Sequence, residues 1–113
     1  MLEIPLRATA NQTLQVVLEE QNCSLRLYTR VLSDGVETLF CDLSIDQTPV
    51  FYGCPCLNGL PMPLYAWLGM TGRLLFVDME GDDAPQWAGL GNRWKLLYLT
   101  PDEVAAYQEG TML

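Results

Sequence analysis

The chain has 113 residues, half of them hydrophobic, with fourteen acidic residues against six basic ones, no histidine and a formal net charge of −8. This length suits one domain with a modest core, and we predict a single β-rich domain over residues 1–113. The acidic balance argues against specific nucleic-acid binding, which needs a basic patch, and no apolar run approaches the ~18 residues of a membrane span. The start lacks the basic-then-apolar order of a signal peptide, so we expect a product that stays in a cytosol.

The first half of the chain is predicted to form a meander of short antiparallel strands. Apolar and polar residues alternate between Thr13 and Val31, which is typical of an amphipathic hairpin with one wet face, and its turn is predicted at residues 20–22. Ser33-Asp34-Gly35 is a second turn signal before a strand at Val36–Ile45, and a further strand begins at Val50. The residues predicted to face the core are Leu14, Val16, Leu18, Cys23, Leu25, Leu27, Val31, Leu39, Cys41, Leu43 and Ile45.

Between Pro55 and Gly72 the alternation stops. Three prolines and the pair Asn58-Gly59 exclude a central strand or a long helix here. The segment is nonetheless strongly apolar, and each such side chain left in water forgoes ~1.5–3 kcal/mol, so it should fold over the core or dock on another subunit. We predict a protein–protein interface made by this segment and one later tryptophan, its residues being Leu60, Met62, Leu64, Tyr65, Trp67 and Trp87.

Two dense apolar runs, Leu74–Met79 and Trp94–Leu99, have the length of strands and are apolar on both faces. They are therefore predicted to pair at the centre of a small β core. The acidic connection between them ends in Gly89-Leu90-Gly91-Asn92, which is typical of a tight turn with positive φ.

A short helix is predicted after the last strand. Thr100 is the expected N-cap, and Glu103 completes a capping box. The helix should run to about Gln108 and depend on docking through Val104 and Tyr107, because two turns are not stable alone. The elements predict an all-β, mainly antiparallel fold, a small β-sandwich or barrel of about six strands with a short C-terminal helix.

No catalytic or metal-binding arrangement is predicted. Without histidine the chain cannot form a Ser/His or Cys/His nucleophile pair. Carboxylates cluster at residues 78–83, but their spacing is not that of a calcium loop, and we interpret them as a solvated turn. Cys54-Pro55-Cys56 lacks zinc-knuckle spacing, and with Cys23 and Cys41 these residues are expected to be reduced and buried. We expect no catalytic residue, no metal and no cofactor.

Several short motifs, taken in order with an amphipathic hairpin, a proline-broken middle and an acidic turn, resemble those of a known family. They are Ile4-Pro5-Leu6, Asn11-Gln12, Phe40-Cys41-Asp42-Leu43, Gly72-Arg73-Leu74, Pro85, Leu90-Gly91 and Leu96-Leu97-Tyr98-Leu99. This order resembles the small baseplate plug proteins of contractile-tailed bacteriophages, first described in a cyanophage, over nearly the whole chain.

The resemblance implies a β-rich, non-enzymatic structural protein of the virion. Such a protein would lie in the tail baseplate, near the axis where tube and hub proteins meet, after assembly in the cytoplasm of the bacterial host. It would form a homo-oligomer and contact other tail tube, hub or baseplate proteins, without catalytic residues.

Two other classes remain open on the residues alone. A small monomeric β-sandwich could bind a sugar or a peptide through Trp67 and Trp87. A small β-barrel enzyme could use Asp78, Asp82 or Asp83 as paired carboxylates. Because a binding module should stay monomeric, the oligomeric state separates it from a tail protein, and neighbouring tail genes would separate all three classes.

Overall fold

The computed structural model describes residues 2–18, 20–59, 62 and 72–108. Its elements are β1 (Leu2–Ile4), β2 (Asn11–Leu18), β3 (Gln21–Val31), β4 (Glu37–Ile45), β5 (Thr48–Pro55), β6 (Arg73–Asp78), β7 (Trp94–Leu99) and α1 (Pro101–Gln108). In this described part the strands form two antiparallel sheets, one of four strands in the order β2-β3-β4-β5 and one of three in the order β1-β7-β6. Residues from both sheets share one main core. The predicted all-β, mainly antiparallel fold is confirmed, as two sheets with seven strands among the described residues instead of about six.

The four-stranded sheet follows the predicted alternation on its inner face. Leu25, Leu27 and Leu43 are at most 1% exposed, and Leu14 and Val16 of the edge strand β2 are half-buried against the same core. Antiparallel strands joined by short turns bury one face and leave the other in water, so this alternation is what a sandwich layer requires.

Two turns of the meander use backbone in the left-handed region: the first has Glu20 with a φ of 66°, and the second has Asp46 and Gln47. Asp46 and Gln47 join β4 to β5 with φ values of 49° and 69°, a conformation that matches the right-handed twist of the strands. In the first hairpin, Leu18 pairs with Gln21. The predicted turn at residues 20–22 extends too far along the chain, because Gln21 and Asn22 already belong to β3.

Two side chains of β3 differ in burial from what strict alternation predicts, although each lies on the predicted face. Val31 is 66% exposed because it lies at the far end of β3, paired with Glu37 where the hairpin extends past the core. Tyr28 is only 7% exposed although it is on the outer face, because its ring packs against Phe40 and lies beside the guanidinium groups of two arginines. Burial here depends on neighbours across the sheet, which a period-two pattern does not contain.

The strands β6 and β7 pair at the centre of the fold, as predicted. Phe76 pairs with Leu96, and both face the main core with 0% exposure. On the opposite face, Leu75 and Leu99 pack with Val104 of α1 in a second, smaller core cluster. The two apolar faces of these strands are therefore explained by a sheet on one side and a helix on the other.

Strand β1 and helix α1 complete this layer. Leu2 and Ile4 pair with Tyr98 and Leu96, so the extended start predicted around Ile4 is a third strand of the sheet. The capping box is confirmed: the Glu103 N–H donates to Thr100 Oγ1 at 3.3 Å, and the Thr100 N–H donates to Glu103 Oε1 at 3.0 Å. The predicted contact through the side chain of Tyr107 lies outside the described residues.

The cysteines behave as small apolar residues of the strands. Cys23, Cys41 and Cys56 are buried and Cys54 is half-buried. Contact with the Cys56 thiol and burial raise the pKa of Cys41, and burial raises the pKa of Cys23 and Cys54. A raised pKa keeps the reactive thiolate form scarce at neutral pH.

We therefore expect all four cysteines to be free thiols in the purified protein. Mass spectrometry after alkylation of the unfolded, unreduced protein should find four modified cysteines, whereas alkylation of the folded protein should be slow. A stoichiometric disulfide or a bound zinc ion would contradict this expectation.

Candidate functional site

The predicted interface is only partly within the described residues. Leu60, Leu64, Tyr65 and Trp67 lie outside them. Met62 is described and is 3% exposed, and its backbone forms an antiparallel bridge with Leu74, with N–H···O distances of 2.7 and 2.8 Å in the two directions. Met62 does not fit an interface, because its side chain is already part of the main core.

Trp87 links the two sheets. It begins a 3₁₀ turn, Trp87–Gly89, in the connection between β6 and β7, and is half-buried against the main core. Its indole Nε1–H donates to Glu37 Oε2 at 3.2 Å, and Gln86 Nε2 donates to the Glu37 carbonyl at 3.4 Å. Trp87 therefore holds this connection against β4 and is not an open platform for a sugar; its predicted interface role stays a prediction.

Asp78, the last residue of β6, anchors the acidic turn. Its side chain is fully buried and forms a bidentate ion pair with Arg93, in which Nε donates to Oδ1 and Nη2 to Oδ2, both at 2.8 Å. The backbone N–H groups of Glu80 and Asp83 donate to the same two oxygens at 2.9 and 3.0 Å. Each oxygen thus accepts two hydrogen bonds, which is what a buried carboxylate requires. The predicted solvated turn is wrong for Asp78.

This ion pair makes Asp78 a poor catalytic group. Hydrogen bonds from Arg93, aided by the two backbone N–H groups and opposed by burial, hold the pKa of Asp78 well below its usual range. A general base needs a pKa near the working pH and access to the substrate, and Asp78 has neither. Arg93 Nη2 also donates to Asp83 Oδ2 at 2.9 Å, but the side chain of Asp83 is 79% exposed. Asp82 is exposed, as predicted.

Two glycines fold the β6–β7 connection onto the sandwich. Gly89 lies against the ring of Trp94, and Gly91, with a φ of 82°, lies against the carbonyl of Leu6. A Cβ atom at either position would collide with these groups. The predicted tight turn with positive φ is confirmed at Gly91.

A cluster of basic and aromatic side chains covers the outer face of the four-stranded sheet. We call it the arginine–tyrosine face and define it as Arg26, Tyr28, Arg30, Phe40 and Asp42.

Tyr28 is the centre of the arginine–tyrosine face. Its ring stacks on Phe40 with 5.9 Å between centroids, and the guanidinium carbons of Arg26 and Arg30 lie 4.6 and 5.1 Å from the ring centroid. Its hydroxyl donates to Asp42 Oδ1 at 3.0 Å. Burial, together with that hydrogen bond, raises the pKa of Tyr28, so the hydroxyl stays protonated.

The rest of the arginine–tyrosine face is held by the same carboxylate. Asp42 Oδ1 also accepts the N–H of Gly53 at 2.7 Å, and Asp42 Oδ2 lies 3.8 Å from Arg26. Tyr52, which follows the inward residue Phe51 in β5, is 64% exposed. The sequence pattern predicts only that Arg26, Tyr28 and Arg30 lie on the wet face of a hairpin. The available signal was the alternation of Arg26, Tyr28 and Arg30 along one strand, which places all three side chains on the same face.

The hairpin between β3 and β4 exposes a second surface, the aliphatic tip (Val31, Leu32 and Val36). These side chains are 66%, 42% and 54% exposed. The loop is nevertheless ordered, since the Leu32 N–H donates to the Val36 carbonyl at 3.1 Å and the Val36 N–H donates to Asp34 Oδ1 at 2.9 Å. Contiguous exposed aliphatic groups on an ordered loop are typical of a contact surface.

The grooves of the described surface offer little to a small ligand. An open groove of about 600 Å³ lies near the β2–β3 hairpin and the β4–β5 turn, lined by residues such as Gln15, Val17, Asn22 and Asp46, with no aromatic side chain among its lining residues. Within residues 2–18, 20–59, 62 and 72–108, no group of three or more Cys, Asp or Glu side chains is arranged to hold a metal ion. No helix in the same described part is long and apolar enough to cross a bilayer.

Exposed aliphatic groups and clustered arginine and aromatic side chains are features typical of protein contact surfaces. The family model described as cyanophage baseplate Pam3 plug gp18 matches residues 1–102. The chain belongs to this baseplate plug family, which confirms the resemblance seen in its motifs. No curated protein matches the chain. Family membership gives the chain a structural role in the baseplate of a phage tail.

Proposed function

We propose that this protein is a plug-like component near the tube and hub axis of a contractile tail baseplate, and that it acts by protein–protein assembly. The single observation that carries the proposal is the match of the baseplate plug family over residues 1–102. Its partners are further copies of itself and other tail tube, hub or baseplate proteins, and it joins the virion tail in the cytoplasm of the bacterial host.

Two features of the structure support this assignment. The aliphatic tip leaves Val31, Leu32 and Val36 in water in the isolated chain, and a neighbouring subunit would cover them. The net charge of −8 suits a protein beside a channel, because DNA passing through the tail is repelled by an acidic surface and does not adhere to it.

Purified virions test the proposed function directly. Tails separated from capsids and dissociated into tube, sheath and baseplate fractions should contain the protein in the baseplate fraction, at a fixed ratio to the hub proteins by quantitative mass spectrometry. Particles made without the gene should have incomplete baseplates. Absence of the protein from virions that are otherwise complete would overturn the assignment.

The predicted interface gives a mutational test. Replacing Trp67 by alanine should weaken incorporation into the baseplate more than it lowers the melting temperature of the isolated protein, because truncating an interface hot spot, a class in which tryptophan is enriched, costs about 2 kcal/mol or more of binding energy. The matched control is Leu57→Ala, an apolar residue of the same segment that is 43% exposed and outside the predicted set.

Incorporation of Trp67→Ala is measured by quantitative mass spectrometry of virions, and stability by circular dichroism. If the isolated variant unfolds while the control does not, the side chain belongs to the core of its own chain and this interface is wrong.

A further inference from the structure

The arginine–tyrosine face holds exposed positive charge on an acidic protein. Of the six basic residues, Arg93 pairs with Asp78, Lys95 lies 3.6 Å from Glu3, and Arg73 is buried. Arg7 is exposed but lies before β2, outside this face. Arg30 is exposed and makes no ion pair with a described carboxylate, and Arg26 has only the 3.8 Å pair with Asp42 while its side chain is 58% exposed. Two guanidinium groups on one strand are therefore available to an acidic partner.

This face is also rigid before any partner arrives. Tyr28 is fixed by Phe40 on one side and by its hydrogen bond to Asp42, and the two guanidinium groups lie against its ring. Arginine and tyrosine are enriched among the residues that dominate binding energies, and preordered side chains lose little entropy on binding. Tyr52, in the neighbouring edge strand β5, is a further exposed aromatic residue.

The chain carries a surface that complements this face. In the connection after β6, Glu80 and Asp82 are exposed and make no ion pair with a described basic residue, and Met79 between Asp78 and Glu80 is 62% exposed. The buried Asp78–Arg93 pair holds this turn in shape. Carboxylates suit the guanidinium groups, and a methionine suits exposed aromatic rings.

We infer that the arginine–tyrosine face binds the acidic β6–β7 turn of a second copy of this chain. Copies with a net charge of −8 repel one another unless their contact sets basic groups against carboxylates, and this pairing does so. Nucleic acid is a poorer occupant, because two arginines neutralise too few phosphates to offset that repulsion. The two surfaces lie on different sheets, so the contact forms either twice in a two-fold dimer or head to tail in a closed ring or a filament.

The inference rests on the proposed assembly function and is tested in solution. Sedimentation velocity over a concentration series should show self-association of the wild type that weakens as salt is raised. Arg30→Glu should lower the association constant by at least about tenfold. Arg7→Glu makes the same charge change at an exposed residue outside the face and should behave like the wild type. Arg26→Glu, which reverses the other exposed guanidinium of the face, provides a second variant if Arg30→Glu folds poorly.

A charge exchange tests the identity of the partner surface. Asp82→Lys alone should associate as weakly as Arg30→Glu, whereas an equimolar mixture of the two variants should form mixed complexes, detected by native mass spectrometry with one variant isotopically labelled. Glu20→Lys is the matched control for the reversed carboxylate, because it is exposed and lies on another turn.

A wild type that stays monomeric at the highest soluble concentration in low salt overturns the inference, as does an Arg30→Glu variant that matches Arg7→Glu. Either result leaves the proposed function standing if the protein is found in baseplates. Self-association with the predicted mutational pattern, in a protein absent from virions, would support this surface and reject the baseplate role.

Discussion

Replacing Asp78 by asparagine should lower the melting temperature by about 10 °C or more. The amide keeps the size of the side chain but removes the charge that faces Arg93, and its NH₂ group would point a donor at other donors. All four hydrogen bonds received by the two carboxylate oxygens come from Arg93, Glu80 and Asp83. Circular dichroism during heating measures the loss. Asp82→Asn is the matched control, since the same change at an exposed residue should leave the melting temperature nearly unchanged.

The same carboxylate should give the protein a specific sensitivity to acid. Because the folded state lowers the pKa of Asp78, its contribution to stability is present above the unfolded pKa of about 4 and is lost as the pH falls toward the folded value. The free energy of unfolding of the wild type should therefore fall more steeply below about pH 4 than that of Asp78→Asn. Urea titrations over a series of acidic buffers measure both slopes. Parallel curves for the two proteins would mean that Asp78 is not held by Arg93 in solution.

Replacing Phe76 by alanine should lower the free energy of unfolding by about 3–5 kcal/mol. Phe76 is 0% exposed and pairs with Leu96 at the centre of the main core, so the truncation leaves a cavity that neighbouring strands cannot fill. A loss of this size is a large part of the total stability of a small domain, about 5–15 kcal/mol.

Urea unfolding followed by tryptophan fluorescence measures the effect at Phe76. Phe76→Leu should lose less, because it retains most of the apolar volume, and Val17→Ala, at a residue that is 62% exposed, should change stability by about 0.5 kcal/mol or less. If Phe76→Ala were no worse than Val17→Ala, the main core would not lie where the two sheets place it.

The candidate surfaces were only partly predictable from sequence. The segment around Trp67 stands out by composition, but Met62 within it is a core residue because its backbone pairs with Leu74, twelve positions further on. Trp87 was chosen as an aromatic anchor, whereas its partner Glu37 is fifty positions away. Neither contact can be predicted from the local sequence pattern, because each joins residues that are distant along the chain.

The local sequence pattern was sufficient to predict those features that depend on interactions between residues close together in the chain. Alternation identified the inward residues of β3 and β4, and the Thr100–Glu103 capping box marked the start of α1. The short motifs were also sufficient for the family, which the match over residues 1–102 confirms.

Only the tertiary structure decided the features that depend on distant partners. Asp78 looks like one more solvated carboxylate until Arg93, fifteen positions later, is placed against it. Tyr28 looks like an outward, wet residue until Phe40 and Asp42 are set beside it by the pairing of β3 with β4. The physical reason is the same in both cases: burial and charge pairing are properties of neighbours in space, and a strand's periodicity records only which way its own side chains point.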